Sequence, residues 1–186
     1  MKDYITELKS LSEKIGLIES IEFDPSLLLP EERIREYCYQ NLCGHYGKHY
    51  MCPPFIGSIE ENKNTLSKYN KAILVRYSEE VNVKEDRRKV EKTKIDFHKK
   101  ILELEKFLYQ EGIEAWGIVG GNCSFCIECK AVTSRPCKHP HKARPSLESL
   151  GIDVQKLLDN FGLDNKFYLD KVVWTGCILI NDINKR

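Results

Sequence analysis

Cysteine is the residue that most restricts what this chain can become. Seven of its eight cysteines fall in two short windows of a 186-residue sequence. The first window holds Cys38, Cys43 and Cys52, and the second holds Cys123, Cys126, Cys129 and Cys137. In an exported chain such numbers would announce disulfides. The N-terminus, Met1-Lys2-Asp3-Tyr4, has no apolar signal core, so the expectation is a cytoplasmic protein whose thiols stay reduced. Clustered thiols in a reducing compartment point to metal.

The spacing Cys123-x2-Cys126-x2-Cys129-x7-Cys137 suits a [4Fe-4S] cluster. A cubane takes one thiolate at each of four corners, so three ligands come from a tightly curled loop and the fourth from further on. Gly120-Gly121-Asn122 lets the backbone turn sharply into this loop, and Pro136 stiffens the approach to Cys137. Zinc is the alternative. Its structural sites use separated Cys-x2-Cys knuckles or a knuckle with a histidine pair, and His139 and His141 keep that option open.

The string Arg135-Pro136-Cys137-Lys138-His139-Pro140, with the run from Arg144-Pro145-Ser146 to Val154, resembles the uncharacterised predicted metal-binding protein family (domain of unknown function 2284). Cys43-Gly44-His45-Tyr46-Gly47-Lys48 and Cys52-Pro53-Pro54 resemble it too. The resemblance implies a ferredoxin-like iron–sulfur site on Cys123, Cys126, Cys129 and Cys137, and leaves the chemistry open.

Cys38-x4-Cys43-x8-Cys52 offers three more thiolates, with prolines behind the last. Three thiolates can hold a cubane with one iron left open, so this window is read as a second metal site or as the completion of the first. The other reading is a set of buried or redox-active thiols. The spacing is not the Cys-x3-Cys-x2-Cys of radical S-adenosylmethionine enzymes. Cys177 sits inside an apolar run and is read as packing.

His45 and His49, interleaved with Tyr46 and Tyr50, are expected to donate hydrogen bonds around thiolate sulfur rather than to act as bases. Arg135, Lys138, Lys142 and Arg144 suggest a basic rim that offsets thiolate charge. Ser146 reads as a helix cap lacking the glutamate of a capping box, because residue 149 is serine. His98 falls on a long surface helix and attracts no special role.

The remaining pattern is α/β. Tyr4, Leu8, Leu11 and Ile15 recur at helical spacing before Gly16, and residues 18–23 read as extended. A helix starting at Pro30-Glu31-Glu32 would deliver Cys38, and another would cover 59–69. Residues 72–77 read as a central strand. Residues 84–110 read as an amphipathic helix, with Val90, Phe97, Ile101, Leu104 and Leu108 inward and Glu103 and Glu105 on a charged outer face. Strands at 113–119 and 171–180 flank a helix at 147–158. The expectation is a single α/β domain over 1–186. Its mixed, partly parallel sheet of about four strands would carry flanking helices and a cysteine-rich face formed by two loops.

Composition narrows the function. Lys plus Arg total 29 against 28 for Asp plus Glu, a balance that argues against nucleic acid as partner. No run reaches the roughly 18 apolar residues of a membrane span. There is no dinucleotide fingerprint, phosphate loop or nucleophile elbow. What remains is an iron–sulfur redox protein or small reductase component, with an unknown redox partner or small-molecule substrate. Two alternatives stand: an enzyme using an open-site cluster as Lewis acid or sulfur carrier, and a zinc-stabilised binding module.

Overall fold

A computed structural model describes residues 3–182; Met1 and Lys2 of the N-terminal string lie outside them. Helix α1 (Tyr4–Lys14) leads through Gly16 into strand β1 (Glu19–Phe23). Asp24 ends that strand by accepting from the Ser26 amide at 2.8 Å, and a short 3-10 turn follows at Pro25–Leu27. Helix α2 (Glu32–Tyr39) then carries Cys38 in its last turn. Helix α3 (Ile59–Leu66) opens with a complete capping box between Ser58 and Glu61. Strand β2 (Lys71–Glu80), helix α4 (Arg87–Gln110), strand β3 (Glu114–Ile118), helix α5 (Val154–Asp159) and strand β4 (Lys171–Asn181) complete the described chain.

The four strands form one sheet in the order β1-β2-β4-β3, and every neighbouring pair is antiparallel. The expected partly parallel sheet is corrected here, for a topological reason. Since β4 runs against both β2 and β3, those two strands point the same way, as a helical crossover through α4 predicts. The last strand then inserts between them along a ten-residue register, Lys71↔Ile180 to Glu80↔Lys171. The result is a split βαβ unit with no parallel neighbours. Among the described residues, the parallel pairing recorded is an isolated bridge between Val119 and Ser146.

Both central strands are apolar on both faces, which explains their unbroken hydrophobic runs. Alternation sends Ala72, Leu74, Cys177 and Leu179 to one side, with Leu66 of α3 and Leu147, Leu150, Leu157 and Leu158. Ile73, Val75, Ile178 and Ile180 face the other, against Leu8 of α1 and Phe97, Ile101, Leu104 and Leu108 of α4. Cys177, on the first of these faces, is fully buried as a small apolar side chain. The sheet is thus sandwiched between two helical layers.

The helix expected over 147–158 is two pieces. A 3-10 turn (Glu148–Leu150) stops at Gly151, whose φ is +90°, and α5 starts anew with Asp153 accepting from the Lys156 amide. A Cβ on Gly151 would stand 2.6 Å from Ile59 Cδ1, so both the backbone turn and the close approach exclude other residues. The cap at Ser146 is also fuller than expected. Ser149 takes the glutamate's place, and the two serines exchange amide-to-hydroxyl bonds at 3.1 Å each.

Candidate metal centre

The second cysteine loop leaves and returns to one point. Val119 follows β3 directly, and its amide donates to Pro145 O at 2.9 Å, so residues 120–145 form an excursion closed at its base. Gly120 and Gly121 make the exit. Cβ atoms there would meet Thr175 O at 2.9 Å and the Trp174 ring at 3.2 Å, and Gly121 has φ +73°.

Three side chains of α4 hold this loop to the body. Lys94 Nζ donates to Asn122 Oδ1 at 2.8 Å. His98 Nε2 lies 2.9 Å from Lys142 O, and its ring lies 4.5 Å from that of Phe125. Glu105 accepts two 2.7 Å bonds from Arg144 and a third from the Gly117 amide. Lys94, His98 and Glu105 are all buried, which corrects the readings of Glu105 as solvent-facing and His98 as unremarkable. Burial pushes the His98 imidazole down to about 4. It is therefore neutral at physiological pH and can present an N–H to the Lys142 carbonyl. Arg144 is likewise no part of a free basic rim, because its charge is spent on Glu105; Arg135, Lys138 and Lys142 remain exposed.

The first cysteine loop, residues 40–57, is fixed from α2. Arg35 is buried and donates to Gly57 O and, at 2.9 Å, to Ser149 O. The Gly47 amide closes the loop on Pro53 O at 2.9 Å. Two contacts tie the loops together. The Tyr50 hydroxyl donates to Arg135 O at 2.7 Å, and the His49 imidazole bonds to the Cys123 backbone. His49 thus bonds to main chain where a bond to sulfur was expected. Its ring also packs edge-on against His45, with centroids 4.6 Å apart.

The seven clustered thiols line two neighbouring hollows. Cys123, Cys126, Cys129 and Cys137 share a tight pocket of about 20 Å³ with His49, Phe125 and His139. Cys38, Cys43 and Cys52 line a cleft of about 330 Å³ with His45, Lys94, Glu148 and Ser149. His139 stays with the cysteines, whereas the exposed His141 lines a separate groove beside Tyr109.

Three of these thiols, Cys38, Cys52 and Cys123, titrate high. Burial pushes Cys52 up to about 12, reinforced by repulsion from Cys43, Cys38, Cys123 and Cys129, so Cys52 senses both windows. Cys123 is raised by burial and by its three partners, and Cys38 by burial and by Cys43. Packed thiols in poor solvent cannot all ionise unless a cation joins them. Two sulfurs are prepared for negative charge all the same. The His139 amide lies 3.4 Å from Cys137 Sγ, and the Phe125 amide bonds to Cys123, each from two residues further along.

Among the described residues, no three His, Cys, Asp or Glu side chains converge as the ligands of a single ion. Tetrahedral zinc would hold sulfurs about 3.8 Å apart. The four pocket cysteines surround a small hollow instead.

Residues 22–180 match the predicted metal-binding protein family (DUF2284). The chain belongs to that family. No match was found among curated proteins or solved structures. The match covers both cysteine loops, β2 and β3 in full, β4 but for its last residue, and the last two residues of β1. Lys94, His98 and Glu105, which the sequence reading left outside the site, had one visible signal. They occupy positions i, i+4 and i+11 on the face that carries Phe97, Ile101 and Leu108.

Proposed function

We propose that this metal-binding protein is a cytosolic iron–sulfur protein with a redox role. Its [4Fe-4S] cluster would be held by Cys123, Cys126, Cys129 and Cys137. The observation that supports this best is the shared pocket of those four thiols, with main-chain amides donating to the first and last. Amide donors stabilise thiolate charge and tune cluster potential. The cluster, when bound, supplies a one-electron couple. The chain's own part is to hold four thiolates on a loop pinned to α4, to exclude water with Phe125 and to leave basic residues outside for an acidic partner.

Cys38, Cys43 and Cys52 would hold a second centre. The 330 Å³ cleft beside them is of the size that small molecules occupy. That cleft favours a second reading, in which a small molecule meets an open-site cluster. Dithionite titration of protein purified without oxygen tests the redox role. The visible absorption should bleach reversibly, with an electron spin resonance signal from the reduced cluster. A colourless, redox-silent, zinc-loaded protein would sink it in favour of a binding module.

A further inference from the structure

The geometry around Glu148 carries a specific assignment. This carboxylate lines the same cleft as Cys38, Cys43 and Cys52, although it comes from the opposite side of the chain's course. Its position is built rather than incidental. The buried Arg35 grips Ser149 O at 2.9 Å, and the Glu31 amide grips Gly151 O at 2.8 Å. These bonds clamp the 3-10 turn bearing Glu148 against α2. Cys38 lies one helical turn beyond Arg35, on the same face. The paired serines 146 and 149 fix the turn's backbone.

Glu148 also lacks a cation. Among the described residues no salt bridge includes it, and its partners are the Ser146 hydroxyl and its own amide. Lys94, which faces the same cleft, is already bound to Glu91 at 2.8 Å and to Asn122. Glu148 is an exposed residue that opens onto the cleft. Three thiols and the Glu148 carboxylate face one cleft and form a donor set for metal.

We propose that Glu148 supplies the fourth ligand, through a carboxylate oxygen, to an iron–sulfur centre on Cys38, Cys43 and Cys52. This rests on the reading of that window as a second centre. A cubane's corner thiolates stand further apart than the ligands of one ion, in keeping with donors that ring the cleft without converging. Oxygen is the harder and weaker ligand for iron beside three thiolates. The Glu148 corner is therefore the one that exchanges, and the cleft is where the exchanging small molecule sits. His45 lines the cleft too and is the rival donor.

The test uses the full chain purified without oxygen, as wild type, E148A, E148C, H45A and C38S, with iron counting and electron spin resonance of the reduced protein. Wild type should carry about eight irons and C38S about four. E148A should lose iron toward the C38S value, or keep it with an altered signal that shifts again on adding 2-mercaptoethanol. E148C should restore wild-type iron, which separates ligation from misfolding, and H45A should match wild type. Wild-type iron and signal in E148A, with C38S depleted, would overturn the Glu148 assignment alone, as would iron loss in H45A instead. About four irons in both wild type and C38S would defeat the second-centre reading, and the ligand assignment with it.

Discussion

The Tyr50 hydroxyl donates to the Arg135 carbonyl at 2.7 Å, and each partner stands two residues before a cysteine, Cys52 in one loop and Cys137 in the other. The two windows are therefore registered against each other by a bond between their loops. Removing the hydroxyl in Y50F should cost about 1 kcal/mol of stability. Chelator challenge with an iron indicator should show faster metal release than in wild type. Equal release rates would mean that the loops keep their register without this bond.

Arg144 and Glu105 form the strongest anchor of the second loop, a two-pronged pair with 2.7 Å bonds and side chains only 16% and 10% exposed. Truncating one partner strands the other charge. R144A should lose about 3 kcal/mol in denaturant unfolding. R144K should recover only part of it, since a lysine cannot fork onto both carboxylate oxygens.

His98 gives the fold an acid-sensitive point. Burial lowers its pKa to about 4, against about 6.5 in the unfolded chain. Between those values the unfolded state binds more protons, so this group's contribution to stability is present above about pH 6.5. It declines toward pH 4 by up to about 1.4 kcal/mol per unit. H98N should flatten that part of the stability profile relative to wild type, measured by denaturant midpoints from pH 4 to 7.

Cys177 supplies the control cysteine. It is fully buried between the sheet and the α5 side of the core, and burial pushes its thiol well above the usual range. C177A should cost about 1 kcal/mol through lost packing while leaving the metal content unchanged. Metal loss in this variant without unfolding would require Cys177 itself to be a ligand.

Much of this was legible in the sequence because the signals are local. The helical spacing of Leu8 and Leu11, the apolar runs of β2 and β4, and the paired cysteine windows all declare themselves within a few residues. The insertion of β4 between β2 and β3 does not, since strand order follows from long-range pairing that no local pattern encodes. The inward turn of Glu105 and His98 was hidden for a similar reason. Their partners, Arg144 and the Lys142 carbonyl, lie across the chain, so charge alone suggested solvent. The break at Gly151 was present as a glycine, but the close approach of Ile59 to it is a tertiary contact that no local pattern announces.

The measurement that bears most directly on the central claim is iron, acid-labile sulfide and zinc per chain on protein purified without oxygen. The account predicts about four irons and four sulfides from the second window, rising to about eight of each with the first filled. Zinc with no sulfide and no visible band would contradict it, and would make the cysteine loops a structural zinc site.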